Sequence, residues 1–305
     1  MCSSDLCMLD WNTPKLSDKE WIEKCVKESQ YIGSDAAFAN IYLLRSKYNI
    51  KVTYYKDLLI RYYEGLGNRK GYTFPLGRKD VLSALYAIEQ DAKEMNRPLE
   101  FCFVTEEQKE ILENTFAGRT ESSSDAGDYD YIYGQPELSL LSGRIYHKKK
   151  NHVSKFKRTY EDYMFCEIGN GNLDDVMLIE DEWYYDRLQQ DDTSAMKEYE
   201  AIREAVDNFE ELSLSGGIIY ANNVPVAMTI ASYINDAAVD IHFEKAVGEY
   251  AVNGGFAAIN QMYASTLKDV KFINREEDIN IPGLRKAKES YHPKFMLKKY
   301  GVRVK

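Results

Sequence analysis

The chain has 305 residues, enough for one large domain or two of ordinary size, and its 44% hydrophobic and 29% charged residues are typical of a globular protein. Its net charge of −10 excludes a general affinity for nucleic acids or anionic membranes, so either partner would require a local basic patch. No apolar run approaches the roughly 20 residues that cross a bilayer.

The first half of the chain predicts the order helix, antiparallel strands, helix, strand, helix. Helical spacing with breaks covers residues 21–47, a stronger helix follows Gly77, and Thr105 caps a further helix. The polar segment 118–128 predicts a flexible loop. The strand-like runs, rich in β-branched and aromatic residues, are 51–55, 58–63, 71–75 and 99–104.

The second half repeats this order without obvious sequence identity to the first. Asn222 and Asn223 form a hairpin signal between two strand-like runs. We therefore expect an α+β fold of two similar domains, 1–136 and 137–305, each with a mostly antiparallel mixed sheet flanked by helices. The predicted helices are 136–158, 198–208 and 255–267, and the predicted strands are 163–168, 217–221, 224–233, 238–244 and 270–273.

The strand-like run AVDIHFEKA alternates between apolar and ionisable residues. Strict alternation predicts that Asp240, His242 and Glu244 point to one face of the sheet. Buried charge is costly unless it is paired or used, so a binding or acid–base site is one interpretation. An edge strand with a hydrated face is the other. A metal site is not predicted, because no third ligand and no Cys/His ligand spacing is evident.

The segment FINREEDINIPGLRKAKESYHPKF follows a short apolar run near the end of the chain. Pro282 and Gly283 predict a helix start, and helical spacing places Arg285, Lys288 and His292 on one face. A cationic stripe at a helix start suits a phosphate or carboxylate, although an ordinary solvated face has the same pattern. Asn274 and Arg275 end the preceding strand, where open sheets bind ligands.

The run HKKKNHVSKFKR is the most basic stretch of this acidic chain. In a helix, Lys148, His152 and Lys155 line one side, which suits RNA or lipid phosphates or else an exposed surface. Gly77 and Arg78 precede another helix and suit an anion or a simple cap. The G-x-G in IGNGNLDD is a weak dinucleotide fingerprint and predicts a turn.

Several of these segments resemble a bacterial protein family, DUF2156, that is similar to the soluble C-terminal domain of phosphatidylglycerol lysyltransferases. The resemblance rests on DIHFEKA, NGGFAAINQMYA, FINREEDINIPGLRKAKESYHPKF, YTFPLG and LSGRIYHKKKNHVSKF, and covers most of the chain. It implies two tandem acyl-CoA N-acyltransferase (GNAT) folds and kinship with enzymes that take an aminoacyl group from a charged tRNA. The multi-span membrane portion of the lysyltransferases and the acyl-CoA loop of N-acetyltransferases are missing from the sequence.

We therefore predict an aminoacyl- or acyltransferase with its site in the second domain, acting on an amine or hydroxyl acceptor. Aminoacyl-tRNA is the favoured donor and acyl-CoA the alternative, while a non-catalytic binding protein for an anionic metabolite or RNA end is a third interpretation. Five scattered cysteines without a C-x-x-C pair, and no signal peptide, favour a cytoplasmic location.

The predicted site residues fall into three groups. Glu244 is the predicted base, with Asp240 acting through water as its alternative. The catalytic candidates are Glu244, Asp240, Lys288, Tyr291 and His292. The substrate-binding candidates are His242, Lys245, Asn274, Arg275, Asp278 and Arg285. The candidates for phosphate or RNA contact are Gly77, Arg78, His147, Lys148, Lys149, His152 and Lys155.

Overall fold

Short β-branched and aromatic runs form the strands of the protein, and most of the predicted runs are confirmed. The computed structural model describes residues 9–188 and 195–305. The strands are β1 (Lys51–Tyr55), β2 (Leu58–Glu64), β3 (Lys70–Thr73), β4 (Leu76–Gly77), β5 (Leu99–Val104), β6 (Thr120–Ser124), β7 (Asp130–Gly134), β8 (Met164–Glu167), β9 (Ser215–Ala221), β10 (Val224–Asn235), β11 (Ala238–Ala246), β12 (Phe272–Asn274), β13 (Phe295–Leu297) and β14 (Tyr300–Val304).

The helices flank the sheets, and several have one apolar face, as in α1, where Ile22, Cys25 and Val26 are buried. At the start of α4 the Thr105 hydroxyl accepts from the Gln108 backbone N–H, and the Gln108 side chain accepts from the Thr105 N–H, which is the predicted capping box. The helices are α1 (Lys19–Ser29), α2 (Phe38–Leu43), α3 (Leu82–Glu94), α4 (Glu106–Thr115), α5 (Gln135–Leu140), α6 (His147–Thr159), α7 (Leu173–Leu188), α8 (Ala195–Asp207), α9 (Gly248–Val252), α10 (Gly255–Thr266) and α11 (Pro282–Glu289).

The chain divides into two units, each built on one mixed sheet. The first contains the described residues of 1–130 with 277–280 and 297–305, and the second contains those of 131–276 with 281–296. The first sheet has the order β1-β2-β3-β5-β14-β6, with β4 beside β2, and the second has the order β13-β7-β12-β11-β10-β9-β8. Antiparallel pairs dominate, while β3 pairs with β5 and β11 with β12 in parallel.

These two sheets confirm the predicted fold class, an α+β fold with two mostly antiparallel mixed sheets flanked by helices. The predicted domain limits, 1–136 and 137–305, stay a prediction about which parts fold independently. The last strand of the chain, β14, pairs with β5 and β6 of the first sheet.

Two predictions of local structure are wrong. The segment 118–128 contains strand β6 rather than only a loop, because β14 supplies it with a partner that is distant in sequence, for example Val302 opposite Ser122. The predicted helix 136–158 is two helices, α5 and α6, separated at Leu141 and Gly143, whose φ angles are +46° and +90°. Helix α7 was not predicted; it follows the turn predicted for IGNGN.

The second sheet carries the hairpin that positions the site residues described below. Asn222 and Asn223 have φ angles of +52° and +63°, and they join β9 to β10 as predicted. Helix α10 packs on one face of this sheet, where Ala258 and Ile259 share a core cluster with Ile219 and Ala227.

The sequence also led to expectations about the cysteines and about membrane-spanning segments. Cys25, Cys102 and Cys166 are free thiols, whereas Cys2 and Cys7 lie outside the described residues. In the part of the chain that the structure describes, no helix has both the length and the apolar character needed to span a bilayer.

Candidate functional site

A β-bulge in β11 separates the ionisable residues that alternation placed on one face. Ala231 of β10 lies opposite Ile241, and Ile230 lies opposite Phe243, so His242 is an extra residue in the strand. Asp240 and His242 therefore share one face, whereas Glu244 points to the other, toward α10. The prediction that all three residues share a face is wrong, because one inserted residue shifts the period-two pattern.

On the α10 face, Glu244 forms a nearly buried ion pair with Arg275. Arg275 Nη2 lies 2.7 Å from Glu244 Oε1, and their side chains are 11% and 10% exposed. Asn260 of α10 donates to the other carboxylate oxygen at 3.0 Å. The parallel pairing of β11 with β12 brings these residues together, since Arg275 directly follows β12. Arg275 thus lies beside the strand that carries Glu244.

Aromatic rings enclose this ion pair. The Arg275 guanidinium carbon lies 4.7 Å from the centroid of the Tyr291 ring and 5.7 Å from that of Tyr133. Burial raises the pKa of both tyrosines well above its usual value, so both phenols stay protonated at neutral pH. The Tyr133 hydroxyl donates to the Lys288 backbone carbonyl at 2.8 Å.

Lys149 of α6 approaches the same cluster from the helix side. Its Nζ lies 3.8 Å from the centroid of the Tyr291 ring. Burial, and then the charge of Arg275, lower the pKa of Lys149 to about 8, with Glu244 acting weakly in the opposite direction. An amine with this pKa is partly neutral at physiological pH and can accept a proton.

Lys149 also lines a cationic cavity of about 450 Å³ between α6 and α11. No carboxylate lines this cavity, and no ion pair in the described chain involves Lys148, Lys149 or Lys286. Burial and the neighbouring Lys149 and Lys155 lower the pKa of His152. The cavity is lined by Ile145, Lys148, Lys149, His152, Gly283, Lys286, Ala287, Ser290 and His292.

Helix α11 presents a different set of cations to this cavity than the spacing predicts. Lys288 is buried, and its Nζ donates to the backbone carbonyl of Arg275. His292 lies beyond the end of the helix with a φ of +53°. The predicted common face for Arg285, Lys288 and His292 is therefore wrong, because the helix ends before His292. Lys286, which the sequence analysis did not select, lines the cavity together with His292.

The opposite face of the second sheet carries a separate cluster around His242. Its Nδ1 lies 3.4 Å from Asp240 Oδ2 and 3.8 Å from Glu276 Oε1, and its Nε2 lies 2.8 Å from Ser232 Oγ. The Asn274 side chain accepts from the Glu276 backbone N–H at 2.7 Å. Glu276 and Ser232 were missed from the sequence because Ser232 lies on β10 and Glu276 lies beyond the end of β12, so both join the cluster only in the folded sheet.

Lys245 lies apart from both groups. It is 4% exposed, and its Nζ contacts Glu198 and lies 3.9 Å from Glu180 Oε2 and 4.4 Å from the Trp183 ring centroid. Burial raises the pKa of Glu180 to about 7. The contacts of Lys245 are with α7 and α8, which makes it a packing residue in this structure.

The remaining predicted residues are dispersed. Gly77, Arg78 and Asp278 belong to the first unit, and α3 begins only at Leu82. His147 is exposed and contacts Asn151, and Lys155 Nζ lies 3.5 Å from the Val252 carbonyl. The second unit thus brings together Glu244, Arg275, Tyr291 and Lys149, with Lys148, His152 and His292 in the adjoining cavity.

Comparison with known proteins gives one family and several solved structures. The family described as phosphatidylglycerol lysyltransferase, C-terminal, matches residues 27–303. A conserved protein of unknown function from Bacteroides thetaiotaomicron VPI-5482 is 30% identical with a TM-score of 0.92, and the match covers 98% of this chain and 100% of that one. No curated protein matches the chain.

Two more distant structures have the same fold. L-PGS from Bacillus licheniformis is 15% identical with a TM-score of 0.66. The C-terminal DUF2156 domain of a protein from Agrobacterium fabrum is 12% identical with a TM-score of 0.63. Each match covers 94% of this chain and 92% of the other.

Proposed function

The chain belongs to the phosphatidylglycerol lysyltransferase C-terminal family, and we propose that it transfers an aminoacyl group from an aminoacyl-tRNA to an amine or hydroxyl acceptor. Its acyltransferase-like fold is shared with L-PGS of Bacillus licheniformis. The observation that carries the proposal is the position of Lys149, whose amine lines a cationic cavity and lies against the ring of Tyr291 beside the Arg275–Glu244 pair.

In the proposed reaction Lys149 takes a proton from the acceptor and later passes it to the leaving group. The acceptor nitrogen or oxygen attacks the ester carbonyl carbon, and its proton passes to the neutral Lys149 amine. The bond between the carbonyl carbon and the ribose oxygen then breaks, and Lys149 returns the proton to that oxygen. One proton is taken up and one released, so the amine is regenerated and no other reactant is required.

We assign proton transfer to Lys149 rather than to Glu244, the base that the sequence suggested. Glu244 Oε1 contacts Arg275 at 2.7 Å and Oε2 accepts from Asn260 at 3.0 Å, so both carboxylate oxygens already have donors within the protein. The pair instead fixes the guanidinium next to the reacting carbonyl, where a positive charge stabilises the developing oxyanion.

The other cations of the cavity suit the phosphates of the donor. Lys148, Lys286 and His292 line the same cavity as Lys149. A bound anion reduces the electrostatic repulsion among these unpaired lysines. The phosphodiesters at an RNA 3′ end are such anions, and they lie close to the terminal ribose that carries the aminoacyl ester. The Tyr291 ring contacts the Arg275 guanidinium, and Lys288 Nζ donates to the Arg275 backbone carbonyl. Both residues therefore help to hold Arg275 in place.

The Gly254–Gly255 pair at the start of α10 has a packing explanation. A Cβ at Gly254 would lie 2.3 Å from the carbonyl oxygen of His152, so the backbone of α6 closes over this turn. The φ of +103° at Gly254 also requires glycine. Close packing of α6 on the start of α10 therefore accounts for the pair without an acyl-CoA phosphate.

A donor panel tests the proposal and its alternatives. Wild-type protein is mixed with labelled aminoacyl-tRNAs, acyl-CoAs and inorganic phosphate, with hydroxylamine as a small acceptor, and hydroxamate formation and melting temperature are recorded. We expect enzyme-dependent hydroxamate only from aminoacyl-tRNA, with binding that weakens steeply as salt rises. Hydroxamate from acyl-CoA alone would contradict the donor. Stabilisation by phosphate without hydroxamate from any donor would indicate a binding protein.

A further inference from the structure

We propose that Asp240, His242 and Glu276 bind a divalent transition-metal ion, Zn²⁺ in the first instance. These residues lie on the sheet face opposite the Glu244–Arg275 pair, so the proposal is independent of the transfer reaction. One ligand atom of each of the three lies within 4.8 Å of the other two. The third ligand, Glu276, lies outside β11, so the sequence of that strand alone does not reveal it.

The distances fit a metal of ordinary size. Ligands at about 2.1 Å from a tetrahedral ion lie about 3.4 Å from one another. His242 Nδ1 and Asp240 Oδ2 are already 3.4 Å apart, and Nδ1 and Glu276 Oε1 are 3.8 Å apart. The Asp240 and Glu276 ligand atoms lie within 4.8 Å of each other, so metal binding requires the Glu276 carboxylate, whose side chain is 28% exposed, to move toward the other two ligands.

Sheet register explains why these three residues meet. The parallel pairing of β11 with β12 places Asp240 beside Asn274, and Glu276 follows two residues beyond the end of β12, with a φ of +55° and its carboxylate 3.8 Å from His242. The bulge at His242 keeps that residue on the face of Asp240 while Glu244 turns away. The inserted residue thus leaves Asp240 and His242 together on this face and keeps Glu244 out of the cluster.

Ser232 provides the outer contact that metal-binding histidines usually have. Its Oγ lies 2.8 Å from His242 Nε2, across the β10–β11 pair. When Nε2 carries the ring proton and donates a hydrogen bond to this hydroxyl, Nδ1 keeps the lone pair that a metal requires. One imidazole and two carboxylates form a ligand set suited to Zn²⁺ or Mn²⁺ and leave a coordination position for water.

The same atoms superficially resemble a serine–histidine–aspartate nucleophile. Ser232 is only 4% exposed, however, so its hydroxyl is closed to an acyl substrate. Glu276 has no role in such a triad but lies on the side of the cluster nearest solvent. A small cation can reach Nδ1 past Glu276, whereas an ester cannot reach Ser232 Oγ.

Calorimetric titration of the chelator-treated full chain tests the proposal. Zn²⁺, Mn²⁺ and Mg²⁺ are titrated into wild type, Glu276→Gln, Ser232→Ala and the exposed control Glu211→Gln, and melting curves verify that each variant folds. We expect one Zn²⁺ site that raises the melting temperature, with affinity ordered Zn²⁺ over Mn²⁺ over Mg²⁺. Ser232→Ala should weaken Zn²⁺ about 10-fold and Glu276→Gln by more, while Glu211→Gln leaves it unchanged.

The outcomes distinguish metal binding at this site from metal binding by the cavity histidines and from a cluster that is only an ion pair. Zn²⁺ binding that is equal in wild type and Glu276→Gln would place the ion elsewhere, for instance on His152 and His292, and would overturn the proposal. Absence of both Zn²⁺ heat and any rise in melting temperature would mean that the three side chains form only a contact cluster without a metal, which also overturns it. Failure of the donor panel has no bearing on either result.

Discussion

Two lysines of this chain have pKa values shifted in opposite directions by their surroundings. Lys149 is half-buried beside Arg275, and its pKa falls to about 8. Lys299 is 3% exposed and lies 2.7 Å from Asp130 and 3.1 Å from Asp35, which raise its pKa well above the usual value. The first amine is therefore available for proton transfer, while the second is a fixed structural charge.

Replacing Lys149 by glutamine should change how stability depends on pH. In the folded state the lowered pKa penalises the charged amine, so wild type carries the full penalty below pH 8 and loses it as pH rises toward 10.5, the unfolded value. Lys149→Gln should thus gain stability relative to wild type at pH 7, and the gain should shrink above pH 8. Denaturant unfolding at several pH values measures this, with exposed Lys150→Gln as the control. A pH-independent difference would contradict the shift.

Replacing Lys299 by methionine should strongly destabilise the first unit. The change leaves Asp35 and Asp130, both buried, without their shared cation, although Arg61 still contacts Asp35. Removing one partner of a buried ion pair costs roughly 3–5 kcal/mol. Urea unfolding of Lys299→Met against exposed Lys298→Met measures the loss. Equal free energies of unfolding for the two variants would show that the buried network contributes little.

At the scale of elements, local sequence patterns predicted the turns and caps that adjacent residues determine. The elements that depend on pairing with a distant strand were missed. The Asn222–Asn223 hairpin and the Thr105 cap were predictable from adjacent residues. Strand β6 was not, because its residues are polar and its partner is β14, nearly 180 residues away in the chain. The bulge at His242 was missed for a similar reason, since an extra residue is visible only against the opposite strand.

The position of β14 between β5 and β6 gives a prediction about this element. Val302 lies between Phe101 of β5 and Ser122 of β6, so β14 bridges the two strands. Proline at this position removes a backbone donor from the sheet ladder and is tolerated only on edge strands or at bulges, so it should destabilise the β5–β14–β6 pairing. Limited proteolysis of Val302→Pro should cut within residues 120–124, whereas Val302→Thr should resist. Equal resistance of both variants would contradict the pairing.

At the scale of the whole molecule, an acidic chain presents a local cationic cavity. The net charge is −10, yet five of the residues that line the cavity are lysine or histidine. The fold class was predictable from the repeated order of elements and the family resemblance. The grouping of Lys149 with Glu244, Arg275 and Tyr291 was not, because α6, β11, β12 and the end of α11 meet only in three dimensions.

The pH dependence of single-turnover aminoacyl transfer tests the central claim most directly. Aminoacyl-tRNA is bound to wild type, Lys149→Gln, Lys149→Arg and the control Lys150→Gln, and transfer to an amine is followed between pH 6 and pH 9. With neutral Lys149 as proton acceptor, the wild-type and Lys150→Gln rates should rise roughly tenfold per pH unit and level off near pH 8. Lys149→Gln and Lys149→Arg should lose transfer by about 10²-fold or more while still binding the donor. Wild-type rates in Lys149→Gln, with the same pH profile, would contradict the account.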